Sequence, residues 1–262
     1  MNRLILPLLL VISSHLGANA AGSGNPDGEA LRQVLGSPAR EVADRMRDED
    51  RKPVEVLQFL QLESGMTVLD VYAAGGYFTW ILSHAVGNDG LVYAQNSPRT
   101  LRYEEGRGEI TQGDALTQKL EDGALDNVRR IDRSVRDTGL PRSSVDFVLV
   151  SQILHDYHNR NPAQAIRLLE TLHDLLRPGG ILGIIDHSGI EGTDNRRLHR
   201  MREADARNVA EAAGFIVEAD SDLLAQPEDN PHRSIFDPML ARKTDQFLLR
   251  LRKPDPDSAG NL

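Results

Sequence analysis

The stretch VLDVYAAGGYFTWILSHAVG, residues 68–87, runs from an apolar segment ending at Asp70 and Val71, through Gly75 and Gly76, into a helical pattern that begins at Tyr77. Strand, glycine turn and helix in that order bring backbone N–H donors and a helix N-terminus to one point, the layout of a turn that holds a nucleotide-like cofactor. The same two glycines also suit an ordinary tight turn. The rest of the chain has to discriminate.

From Met66 onward, short apolar runs alternate with helical stretches. The runs are Thr67 to Val71, Gly90 to Gln95, Asn127 to Ile131, Val145 to Ser151, Ile181 to Asp186, Phe215 to Ala219 and Gln246 to Leu251. Helical spacing falls at 77–86, 114–124, 163–176 and 202–213. This alternation predicts an α/β fold, doubly wound, with a mainly parallel sheet covered on both faces. Ahead of it, Ala30 to about Leu62 has helical spacing broken at Pro38 and Pro53, an N-terminal helical extension.

In such sheets ligands lie beyond the carboxyl ends of the strands. That rule selects Asp70 to Tyr77, Gln95 to Pro98, Gln152 to His158 and Asp186 to Ser188.

The N-terminus sets an expectation about compartment. Arg3 precedes an unbroken apolar stretch from Leu4 to Ile12, and Ala18-Asn19-Ala20 is a small-x-small cleavage signal. Residues 1–20 therefore read as a signal peptide cleaved after Ala20, and the mature protein as periplasmic or secreted, with no integral membrane segment. Residues 21–62 hold a polar leader and the helical extension, 63–253 the main domain, and 254–262 a tail without structure. A net charge of −9 argues against a nucleic-acid groove, and the absence of cysteine excludes disulfides, thiolate metal sites and a thiol nucleophile. Both fit a small-molecule substrate. Oligomeric state is not readable.

The order of pieces resembles class I S-adenosylmethionine-dependent methyltransferases. The resemblance rests on GMTVLDVYAAGGYFTWIL, GLVYAQNSP, LDNVRRIDRSVRDTGLPRSSVDFVLVSQILHDYHN, LLRPGGILGIIDHS and AAGFIVE, and covers most of residues 64–252. More narrowly, RDEDRKPVEVLQFLQLESGMTVLDV with GGYFT, DHS and TDQFLLRLRKP resembles a bacterial group of predicted exported methyltransferases. The resemblance implies a seven-stranded Rossmann-like sheet whose last two strands form an antiparallel hairpin, and S-adenosylmethionine as cofactor.

It also implies roles by position. Asp70 stands where an acidic residue orients the glycine loop, and Gly76 matches the loop's last glycine, with Gly75 and Tyr77 beside it. Tyr72 and Ala74 occupy places where glycine is usual. Asn96 falls where a carboxylate normally accepts both ribose hydroxyls, Ser134 where an acidic residue often meets the adenine amino group, and Gln152 where cofactor and substrate meet. A charge-assisted hydrogen bond contributes about 1.5–3 kcal/mol against about 1 for a neutral one, so two missing carboxylates predict weakened cofactor binding.

A second cluster follows the fourth and fifth strands: His155, Asp156 and His158, then Asp186 and His187, with His199 further on. Methyl transfer needs an aligned nucleophile and at most a base to take its proton. His155 or His158 is the candidate base, oriented by Asp156 or Asp186, and the same residues also suit caps and turns. His155 and His158 have a spacing compatible with a metal, but no firm third ligand accompanies them, and no metal is expected. Arg196, Arg197, Arg200 and Arg202 read as a solvated connector or as a grip for an acidic substrate. RDEDRKP reads as a charged helix face, although the resemblance implies that N-terminal helices here cover the cofactor as a lid. Two further functions stay open, a non-catalytic ligand-binding protein on this fold and a metal-assisted hydrolase.

Overall fold

The computed structural model describes residues 28–38, 40–105 and 110–256. The expected signal peptide, most of the leader and residues 257–262 of the expected tail lie outside the described residues. No described helix is long and apolar enough to cross a membrane.

Seven strands form one sheet: β1 (Thr67–Val71), β2 (Leu91–Gln95), β3 (Val128–Ile131), β4 (Val145–Ser151), β5 (Leu176–His187), β6 (Ile216–Ser221) and β7 (Gln246–Arg252). Their order is β3-β2-β1-β4-β5-β7-β6. β1 to β5 are parallel, and β7 inserts antiparallel between β5 and β6. The sheet is thus mostly parallel with an antiparallel end. Strand order reverses between β1 and β4, the place where such sheets bind ligands.

The described residues also form ten α-helices, besides three short 3-10 turns: α1 (Gly28–Leu35), α2 (Val42–Arg45), α3 (Asp48–Arg51), α4 (Pro53–Phe59), α5 (Tyr77–Val86), α6 (Gln112–Asp122), α7 (Leu154–His158), α8 (Pro162–Leu175), α9 (Asn195–Leu198) and α10 (Glu203–Ala212). Successive strand residues face opposite ways. Val68, Phe147, Ile181 and Leu248 join α1, α4 and α5 in one core, while Leu69, Val148, Leu182 and Leu249 join α8 and α10 in the other. Both faces are buried, so the strands read as continuous apolar runs.

β5 begins five residues earlier than its apolar run, at Leu176 rather than Ile181, because Leu176 pairs with Val145 ahead of a register shift in β4. The N-terminal helices lie over the carboxyl end of β1. Asp48 of α3 pairs with Arg40 and accepts from the Tyr77 hydroxyl at 2.8 Å, and Lys119 of α6 pairs with Asp44 of α2. RDEDRKP is therefore no solvated face: its Asp48 and Arg51 turn inward onto Tyr77.

Candidate active site

The turn after β1 is held by the neighbouring strand end. Tyr72 N donates to Gln95 Oε1 at 3.2 Å, Ala73 N to the Gln95 carbonyl at 2.9 Å, and Ala74 N to Asn96 Oδ1 at 2.9 Å. Asn96 Nδ2 returns a bond to the Ala74 carbonyl at 3.1 Å. Tyr72 (φ 56°) and Ala74 (φ 51°) adopt the left-handed conformation that glycine would take without cost. The Asn96 amide is what holds Ala74 there. Asn96 is fully buried and lines neither cavity described below; its side chain is engaged with the Ala74 backbone.

The two glycines divide their work. Gly76 (φ 87°) caps α5, and a Cβ there would come within 2.7 Å of Leu116 Cδ1. Gly75 faces the cavity, where a Cβ would come within 2.6 Å of the Glu105 carboxyl carbon. Only Gly75 is a cavity residue among the two.

That cavity measures about 590 Å³ and is lined by Asp70, Tyr72, Ala74, Gly75, Tyr77 and Gln152, together with Glu104, Glu105, Arg47 and Arg51. Of the expected cofactor residues it gathers Asp70, Tyr72, Ala74, Gly75, Tyr77 and Gln152, and leaves out Gly76, Asn96 and Ser134. Ser134 instead caps a short turn, its hydroxyl accepting from Arg136 N at 3.3 Å. The Tyr72 ring leans toward α7, its hydroxyl bonded to that of Tyr157.

Asp70 accepts from the Thr79 hydroxyl at 2.7 Å, and burial pushes its carboxyl up to about 7 against that bond and the charge of Arg51. Burial also raises Tyr77, which donates to Asp48.

A second cavity of about 180 Å³ adjoins the first, lined by Asp50, His187, Ile235, Thr244 and Gln246. Arg47, Arg51, Gln152, Phe236 and Arg242 line both. At the junction Arg51 Nη2 donates to Gln152 Oε1 at 3.2 Å, and Gln152 Nε2 donates to Gln246 Oε1 at 3.0 Å. The Arg51 guanidinium lies 4.6 Å from the centre of the Tyr77 ring, and burial lowers its pKa.

His187 is the histidine on the cavity wall. Its Nδ1 meets Thr244 Oγ1 at 2.8 Å, and burial, reinforced by the charges of His155, Arg200 and Arg51, depresses its pKa to about 3. It is a neutral imidazole at ordinary pH. His155, Asp156, His158 and Asp186 line neither cavity. Asp186 is fully buried and accepts from His155 N at 2.8 Å, His155 Nδ1 at 2.7 Å and His187 N at 2.8 Å. Burial opposes both charges, but the pairing prevails, lowering Asp186 and raising His155. His158 turns to Asn159, 3.4 Å away.

In the arginine run around His199, Arg196 and Arg197 are exposed, as in a solvated connector, and Arg200 is not. Arg200 is fully buried, its guanidinium making two bonds to Asp229 at 2.7 and 2.9 Å and one each to the carbonyls of Ser188 and Arg233. Arg202 pairs with Asp205. The cavity cations come instead from α3 and from the loop before β7, where periodicity gives no signal. Spacing along RDEDRKP could have found Arg47 and Arg51, four residues apart on successive helical turns.

No family model matches the chain. Demethylmenaquinone methyltransferases of Geobacillus stearothermophilus and Listeria monocytogenes are 25% and 24% identical over 134 residues, 51% of this chain and 50% of each relative. The chain thus spans about half the length of the curated relatives it matches. Among solved structures, an S-adenosylmethionine-dependent methyltransferase from Aquifex aeolicus superposes with a TM-score of 0.58 at 21% identity, covering 87% of this chain and 98% of that one. The [4+2]-cyclase SpnF gives 0.58 at 15%, covering 89% and 100%. A "possible exported protein" of Bordetella parapertussis gives 0.52 at 15%, covering 87% and 79%. The chain has the class I methyltransferase fold.

Proposed function

We propose that this protein transfers a methyl group from S-adenosylmethionine to a small-molecule acceptor. The observation that carries the reading is the pair of joined cavities at the reversal point of the sheet, one under the Gly75 turn and one walled by His187, meeting at Arg51 and Gln152. The larger is within the usual range for small-molecule sites.

The residues present fit the cofactor. Gly75 leaves a cradle that a Cβ would fill, and the wall offers carboxylates at Glu104 and Glu105 for an amine and hydroxyls, with Arg51 for a carboxylate. Glu105 thereby offers the negative charge that Asn96 lacks. The bound cofactor supplies an electrophilic methyl on a sulfonium.

The chain's own residues supply position. Arg242, with Arg51 at the junction, favours an acceptor bearing an acidic group, while Arg47 is paired with Asp44 and Glu105. His187, a neutral ring fixed by Thr244, hydrogen-bonds the acceptor's nucleophilic atom and orients it toward the methyl group. His155 and Asp186 position the His187 backbone from behind. Phe236, 70% exposed, closes the outer side of both cavities. On the sequence of residues 1–20, the protein works outside the cytoplasm, in the periplasm or medium.

The test uses S-adenosylmethionine labelled in its methyl group, incubated with the protein and a small-molecule extract. Label should appear in a small organic acid and fall at least tenfold with His187→Ala. Tight cofactor binding with no transfer to any small molecule would favour the non-catalytic reading.

A further inference from the structure

Behind the wall of the smaller cavity three side chains converge, His155, Asp156 and His199, each offering a donor atom within 4.8 Å of the others'. The carboxylate oxygen lies 3.6 Å from His155 Nε2 and 3.4 Å from His199 Nδ1. The first is too long for a hydrogen bond and the second is at its limit. They do match the edge of a tetrahedron of ligands, which is about 3.4 Å for bonds of about 2.1 Å.

The surroundings are those of a ligand set. His155 Nδ1 is bonded to Asp186 Oδ1 at 2.7 Å, so the neutral ring carries its proton on Nδ1 and keeps a lone pair on Nε2, 3.6 Å from Asp156 Oδ1. A histidine backed by a carboxylate in this way is the usual support of a metal-bound imidazole. The site opens toward solvent on one side: the side chains of His155, Asp156 and His199 are 4%, 44% and 37% exposed. The His199 ring packs edge-on against His155 at 5.7 Å and Phe236 at 4.9 Å, in a residue held at φ 55°. Spacing along the chain proposes His155 with His158, but His158 is not in the cluster. The third donor is His199, 43 positions beyond Asp156 and not readable from local spacing.

We propose that His155, Asp156 and His199 bind one divalent first-row transition-metal ion. Two imidazoles and one carboxylate suit zinc, iron, cobalt, nickel or manganese better than the oxygen-seeking magnesium or calcium, and the remaining coordination positions are left to water or a ligand. The ion would lie beside His187, whose ring is 6.0 Å from that of His155, and near Phe236, so that it fastens the turn after α9 to α7. This is independent of the methyl-transfer reading.

The test is titration of the chelator-treated full chain with Co²⁺ and Zn²⁺, by calorimetry and by the visible absorption of bound cobalt. One equivalent per chain is expected, with a zinc-dependent rise in melting temperature. His199→Ala and Asp156→Asn should abolish tight binding and that rise, Asp186→Asn should weaken binding about 10- to 100-fold, and His158→Ala should leave binding unchanged. A folded wild type that takes up no ion, or equal uptake by His199→Ala and Asp156→Asn, would overturn the proposal.

Discussion

Arg51 Nη2 donates to Gln152 Oε1 at 3.2 Å, joining a helix of the N-terminal extension to the residue that follows β4. The bond stands where the two cavities meet, and Gln152 itself sits at φ 60°, with its N–H tied to the Ile185 carbonyl at 2.7 Å. The extension thus completes the site rather than decorating it. Replacing Arg51 with Met removes a cation shared by both cavities while keeping much of its packing on Tyr77. Loss of one charge-assisted bond, about 1.5–3 kcal/mol, predicts a 10- to 150-fold fall in kcat/KM. Steady-state kinetics with the acceptor identified by label transfer checks it.

Asn96 is expected to resist restoration of the family's carboxylate. In Asn96→Asp the Nδ2 donor to the Ala74 carbonyl becomes an oxygen facing an oxygen, in a fully buried position. The cost is about 1–3 kcal/mol or more, read as a lower urea midpoint. Unchanged stability with tighter cofactor binding would place the side chain at the ribose after all.

Arg200 and Asp229 should behave as a buried ion pair. Arg200→Met leaves the Asp229 carboxylate without its cation, at a cost of about 3–5 kcal/mol. Thermal unfolding measures it, and the affinity of the remaining folded protein for S-adenosylhomocysteine should be little changed, since Arg200 lines neither cavity.

Asp70 gives stability a pH dependence. Burial raises its carboxyl from 3.8 to about 7, so between those values the folded chain holds a proton that the unfolded chain has released. Its contribution therefore falls as pH rises through that range. His187, depressed from 6.5 to about 3, works the other way: the unfolded chain takes up the proton, and stability rises with pH over that interval. Urea titrations of wild type and Asp70→Asn separate the two. The variant's stability relative to wild type should grow from pH 4 to 7 and then level off.

The strands and main helices were legible because both faces of the sheet are covered, which turns each strand into a short apolar run. The side chains at the strand ends were less so. Asp186 and His187 are consecutive and so point to opposite sides. The sequence names both, but only the fold shows that His187 meets the cavity while Asp186 holds His155. Asn96 was found at its strand end, yet its two bonds to Ala74 depend on a turn conformation that no spacing reveals. Phe236 and Arg242 come from an irregular loop whose position is set by β7 entering the sheet between β5 and β6.

The central claim is that the cavity under the Gly75 turn holds the cofactor. Its most direct test is calorimetric titration of wild type and Gly75→Val with S-adenosylhomocysteine. Gly76 is the poorer position, since valine at φ 87° would strain the helix start itself. Gly75→Val should remain folded while its added side chain meets Glu105 and fills the cradle. Micromolar binding by wild type, weakened at least a hundredfold in the variant, is the predicted result. Equal affinity in the two, or no binding to the folded wild type at millimolar ligand, would contradict it.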